Sequence, residues 1–169
     1  MIQSSTRFGE IENIEYFDFE EDFVEKNIRC IPMIIRLKMD TAGIKLKLSE
    51  WSHFTTEEKI DLAARSCEMP GEVQAYHERL AGLIKKYSGN AATTLLINNK
   101  PGWNDLDTIP AILKEKAKEF NWEIYPEQWK SLTTLQRFAL LKLCRPGHEN
   151  KNFPKAMKEF NLVNENTIN

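Results

Sequence analysis

Three histidines and three cysteines are the side chains of this sequence best suited to metal ligation or nucleophilic chemistry. None stands in Cys-x-x-Cys or His-x-x-x-His spacing, the patterns by which one turn or one helix face presents two ligands together. A metal site would have to be assembled by folding, from Cys67, Cys144 and His148. The plainer expectation is that each cysteine is a small apolar side chain near a helix end, and that His53 and His77 are surface or hydrogen-bonded residues with no role. Gly-x-Ser-x-Gly, Walker and Gly-x-Gly-x-x-Gly motifs are absent, so the local devices for an exposed serine nucleophile, a phosphate cradle and a dinucleotide are missing. The expectation is a protein that is not an enzyme and that carries no metal or other cofactor.

The densest group of hydrogen-bonding residues runs Arg145-Pro146-Gly147-His148-Glu149-Asn150-Lys151-Asn152-Phe153 and reads as a break between two helices. An arginine fork, an imidazole and amides on one loop can grip a partner or an anionic ligand. The same residues can also satisfy one another, with Asn152 capping the next helix, Glu149 paired to Arg145 and His148 bonded to a carbonyl. Both alternatives stand at this level. Together with Arg137 on the preceding helix, Arg145, His148, Glu149, Asn150, Asn152 and Phe153 form the candidate partner-binding set.

Charge bears on what that partner is. With 23 Lys and Arg against 25 Asp and Glu the net charge is -2, which argues against a general nucleic-acid binder. The two signs are nevertheless separated. Glu10, Glu12, Glu15, Asp18, Glu20, Glu21, Asp22 and Glu25 follow one another with no basic residue between, whereas 130–160 holds Lys130, Arg137, Lys142, Arg145, Lys151, Lys155 and Lys158 against Glu149 and Glu159. Either the acidic stretch folds back over a basic surface, or the two patches orient the chain on a larger complementary partner. Ordinary solvated helix faces are the third account.

Those side chains need elements to position them. At 169 residues and 41% hydrophobic the chain can bury a core without disulfides, and three widely spaced cysteines do not form a disulfide framework. No secretory n-region and h-region opens the sequence and no apolar run approaches the length of a membrane span, so a cytoplasmic protein is expected. Pro32 suits the first position of a helix that Gly43 ends, Thr55 and Glu58 form a capping box, and Met69-Pro70-Gly71 reads as a break. Apolar residues from Val73 to Ile84 recur at helical spacing ahead of Gly89. Thr93–Ile97 is either a strand or a buried helical turn. The pattern then starts over: Ile109-Pro110 opens a helix that Asn121 ends, Thr133 and Gln136 form a second capping box, and Asn152 and Pro154 open a last helix.

The two halves match at one offset. Ile31 and Ile109 stand 78 residues apart, as do Pro32 and Pro110, Ile34 and Ile112, Lys38 and Lys116, Trp51 and Trp129, Thr55 and Thr133, Thr56 and Thr134, and Leu62 and Leu140. Lys59 faces Arg137 at the same offset. The expected fold class is mainly α: a compact helical domain over 16–162, built from two similar repeats (31–89 and 109–162) in a pseudo-twofold relation, with a flexible arm over 1–15 and a flexible tail over 163–169.

Arg29-Cys30-Ile31-Pro32-Met33, Met39-Asp40-Thr41-Ala42-Gly43-Ile44-Lys45-Leu46, Trp51, Leu135-Gln136-Arg137-Phe138-Ala139-Leu140, the stretch Arg145 to Phe153, and Glu159-Phe160 carry a likeness across about 16–162. In these motifs the sequence resembles the conserved nitrate reductase-associated protein family of cyanobacteria and relatives. The resemblance implies an accessory factor needed for active assimilatory nitrate reductase, a molybdenum-cofactor and iron-sulfur enzyme, with no catalysis of its own and nitrate reductase as its protein partner. The first 15 residues and the Asn-rich tail carry none of these motifs. A small helical regulator or nucleic-acid-binding protein using the basic second half is the alternative.

Overall fold

Ile31-Pro32 and Ile109-Pro110 each stand directly before a helix, because proline presets φ and lacks an amide that the first turn leaves without an intrahelical acceptor. The computed structural model describes residues 8–24, 30–147 and 150–164. Over these the chain is mainly helical, with one two-stranded sheet. Its contacts divide it into two compact units, 1–98 and 99–169.

In the first unit, 3-10 turns at Phe8–Glu10 and Asp18–Glu20 lead to α1 (Glu21–Val24), α2 (Met33–Ala42), β1 (Ile44–Lys45), α3 (Leu48–Trp51), α4 (Thr56–Ala64), α5 (Pro70–Ser88) and β2 (Thr93–Thr94). Pro32 is the N-cap of α2, one position earlier than the sequence suggests. Gly43 ends α2 at φ 68°, a left-handed conformation that costs glycine little. A Cβ there would lie 2.9 Å from the Leu95 carbonyl oxygen and 2.7 Å from Ile97 Cγ1, so a side chain has no room either. The turn delivers β1 to β2, which pair antiparallel through Ile44 with Thr94 and Lys45 with Thr93. Thr93–Ile97 thus supplies a strand of two residues, and beyond it Leu95, Leu96 and Ile97 are exposed rather than buried in a turn. Met69-Pro70-Gly71 is no break but the entry to α5: Pro70 is its first residue, and Glu72 Oε2 accepts from the amides of Glu68 and Met69. α5 packs on α2 and buries Ile35, Met39, Tyr76, Leu80 and Leu83 with Trp51 and Leu62.

Part of the expected N-terminal arm belongs to this unit. Phe8 stacks on Trp51 and on Tyr16, with 6.3 Å between ring centroids in each pair, and Ile14 also packs against the core. Residues 1–7 of the arm and 165–169 of the tail lie outside the described residues.

The second unit runs through a 3-10 turn at Gly102–Asn104, α6 (Ala111–Lys118), α7 (Pro126–Ser131), α8 (Thr134–Leu143), a 3-10 turn at Asn150–Asn152, and α9 (Phe153–Glu159). Asn121 takes φ 59° after α6, the left-handed turn its short polar side chain tolerates. α8 is the central element, in contact with the Gly102–Asn104 turn, α6 and α9. Trp103 meets Phe138 edge-on at 5.0 Å, and Leu113, Trp129, Leu140, Leu143, Phe153 and Met157 are fully buried. Each unit therefore presents the same local devices in the same order: an Ile-Pro entry, a left-handed end, a buried tryptophan and a Thr capping box.

Candidate functional site

Arg137 sits on α8 behind a complete capping box, in which Thr133 Oγ1 accepts from the Gln136 amide (3.1 Å) and Gln136 Oε1 accepts from the Thr133 amide (2.9 Å). The box fixes the first turn, and that turn aims Arg137 inward. Only 6% of it is exposed. Its Nε donates to the Trp103 carbonyl (2.6 Å), one terminal nitrogen to the Leu132 carbonyl and the other to Thr134 Oγ1 (3.3 Å). The guanidinium also lies 5.8 Å from the Trp129 ring. Arg137 thus ties the Gly102–Asn104 turn to the start of α8 and supports the surface from beneath.

The loop beyond α8 is divided in the same way. Arg145 is exposed. Phe153 is fully buried, 5.8 Å from the Phe120 ring, and Asn152 is 5% exposed. Asn152 does occupy the N-cap position of α9, but its backbone is already helical (φ -84°, ψ -10°) and its side chain makes no capping bond, contrary to the sequence expectation. Pro154 in the first turn removes one of the amides such a cap would serve. Asn150 lies in the 3-10 turn, while His148 and Glu149, and with them the expected Glu149–Arg145 pair, lie outside the described residues.

Several supporting residues carry no motif. Glu20, fully buried on its 3-10 turn, accepts from the Phe17 amide (3.1 Å) and from the Met33 amide (2.6 Å). It therefore caps α2 from 13 residues away, where Pro32 has no capping side chain. No local pattern could reveal that. Lys59, 8% exposed, lies 4.9 Å from the Trp51 ring, the same cation-on-tryptophan pairing that Arg137 makes with Trp129. Burial lowers the Lys59 pKa. Glu58 accepts from the Thr55 amide, from Lys86 Nζ (2.8 Å) and from the Tyr87 hydroxyl (2.7 Å). Burial works to raise its pKa, but these bonds and the Lys86 charge outweigh it and hold the carboxyl at about 2.

Cys67 and Cys144 are both buried, His148 lies outside the described residues, and no group of three or more His, Cys, Asp or Glu among the described residues is placed to hold a metal. Burial pushes the Cys67 thiol up to about 11 and the Cys144 thiol to about 12, well away from the thiolate form. Cys67 Sγ–H donates weakly to the Lys38 carbonyl (3.7 Å). His77 Nδ1–H donates to the Ala42 carbonyl (2.8 Å), and His53 is exposed.

The second unit also holds a cleft of about 740 Å³ between one face of α6 and the segment that leads into α7. Lys114, Ala117, Lys118 and Asn121 line one side, at helical spacing, and Trp122 to Pro126 line the other. The cleft mixes charged and aromatic groups, which is what recognition of a ligand both anionic and apolar requires. No motif marks it, because the cleft depends on how the chain turns at Asn121.

No helix among the described residues is long and apolar enough to cross a membrane. Comparison with the curated proteins returned no match, and comparison with the solved structures returned none. The model of one protein family does match, over residues 16–160, which takes in both units, the Trp51 and Trp129 pairings and the loop from Arg145 to Phe153. The chain accordingly belongs to the conserved nitrate reductase-associated protein family.

Proposed function

We propose that this protein is a non-catalytic accessory factor that supports the maturation, stability or activity of a molybdenum-cofactor assimilatory nitrate reductase by docking on it. The observation that carries this reading is the family match over residues 16–160. The exposed Arg145 and the excess of basic residues over 130–160 supply a surface suited to orienting the chain on an acidic partner. Arg137, Asn152 and Phe153 hold that surface in place from inside the unit. The two units arise from one duplicated helical module, a reading supported by the 78-residue offset and the devices the two units share, and the protein acts in the cytoplasm.

The test is a strain in which this chain is deleted and then restored. Nitrate reductase activity per unit of enzyme protein falls on deletion and returns with the wild-type chain. Restoration with Arg145→Ala tests the loop, and a clear shortfall is expected. Full activity in the deletion strain contradicts the accessory role, whereas full rescue by Arg145→Ala removes that arginine from the docking surface.

A further inference from the structure

We infer that the cleft beside α6 seats an acidic peptide segment carrying an aromatic or aliphatic side chain, supplied by the protein's partner; the identity of that partner rests on the docking role proposed above.

Three observations converge on this. Lys114 and Lys118 are exposed on the α6 wall one helical turn apart, and neither makes an ion pair or side-chain hydrogen bond to a described residue. Lys116, between them, differs: it pairs with Glu119 at 2.9 Å. Residues four apart stand on one face about 6 Å apart along the axis. Two carboxylates at alternate or neighbouring positions of a peptide match that separation. The second observation is Trp122, 9% exposed, which lines the cleft and whose buried indole N–H has no hydrogen-bond acceptor. A buried donor in that condition carries an unrecovered desolvation cost, and the indole that bears it forms part of the cleft wall. The third is the shape and lining of the opposite wall. Ile124, Tyr125 and Pro126 offer an apolar, aromatic surface, Tyr125 is 56% exposed, and the cleft is open along one side rather than enclosed. A small-molecule site buries most of its ligand, whereas an open cleft lets a chain enter, pass and leave. Glu123 also lines the cleft and repels acidic groups placed near it, so the peptide carboxylates belong on the α6 wall and the apolar side chain against Ile124 and Tyr125.

The experiment uses the full chain labelled with 15N and a synthetic hexapeptide, Asp-Glu-Phe-Leu-Asp-Glu with blocked ends. Its controls are the same peptide with Asn and Gln in place of the acids, the same peptide with Ala in place of Phe and Leu, and inorganic phosphate. The acidic peptide is expected to shift the Trp122 indole N–H resonance saturably, with both control peptides at least about tenfold weaker. The double variant Lys114→Gln with Lys118→Gln, whose lysines are exposed and leave the core untouched, is expected to lose at least about tenfold in affinity with an unchanged melting temperature. Trp122→Phe identifies the indole signal and weakens binding. The inference is overturned if the acidic peptide leaves the Trp122 resonance unmoved, if the Lys114/Lys118 variant binds as wild type does, if the uncharged peptide binds equally well, or if phosphate alone shifts the signal. None of these outcomes touches the accessory role, which the deletion strain tests separately.

Discussion

Glu58 shows how one side chain can hold a unit together. Its carboxylate completes the α4 capping box and joins it to Lys86 and Tyr87 at the end of α5. The folded carboxyl titrates at about 2 and the unfolded one near its ordinary 4.5, so the stabilisation is complete above about pH 4.5 and is lost as the pH falls towards 2. Glu58→Gln is expected to cost about 2 kcal/mol at neutral pH and to remove that part of the acid sensitivity, read by urea titration at pH 7 and pH 3. Arg137 does the equivalent work in the second unit by a different chemistry. Arg137→Met leaves the Trp103 and Leu132 carbonyls without their donor, and a loss of about 3 kcal/mol is expected in the same titration. Arg137→Lys recovers less than half, because one ammonium cannot reproduce the fork. At the cysteines, the raised Cys67 and Cys144 pKa values predict that neither thiol reacts with iodoacetamide at pH 7.5 until denaturant is added. Rapid alkylation of either one in the native protein, located by peptide mass, would contradict the burial described here.

At the scale of elements, the helix starts are the part of the fold the sequence displays best, and the reason is local. Thr55 with Glu58 and Thr133 with Gln136 are three residues apart, so pattern and geometry coincide. Thr55→Ala and Thr133→Ala are each expected to cost about 1 kcal/mol in thermal melts, with no change of fold. Four further helix starts use half of the same device. Glu20, Glu50, Glu72 and Gln128 each reach back to the amide three residues before, behind Phe17, Lys47, Met69 and Tyr125, which have no capping oxygen. A Glu or Gln at the third position marks these starts without Ser or Thr ahead of it. At Met69-Pro70-Gly71, Glu72 supplies the cap and turns an apparent break into the start of the longest helix described. The candidate site was less visible. Arg137, Asn152 and Phe153 are exceptional residue types in a crowded stretch, but residue type does not say which way a side chain faces, and tertiary packing turned all three inward. Glu20 and the cleft beside α6 depend on contacts distant in sequence or on the path of a turn.

For the whole molecule, the near-neutral net charge concealed an acidic first stretch and a basic second half, and the division into units 1–98 and 99–169 separates them. The boundary follows the run from Leu95 to Ile97, whose apolar side chains are exposed. Brief chymotrypsin treatment of the native protein is expected to cut first after Leu95 or Leu96, releasing two fragments close to the units; first cleavage within α5 or α8 contradicts that boundary. Gly43→Ala, which forces a Cβ towards the Leu95 carbonyl, is expected to loosen the sheet and accelerate that same cut. Affinity purification of this chain from nitrate-grown cells, with and without the capacity to make molybdenum cofactor, tests whether nitrate reductase is its partner. Nitrate reductase is expected to co-purify, with the amount differing between the two backgrounds if the chain acts during cofactor loading and equal if it remains as a subunit. Recovery of the chain without nitrate reductase in both backgrounds would contradict the account.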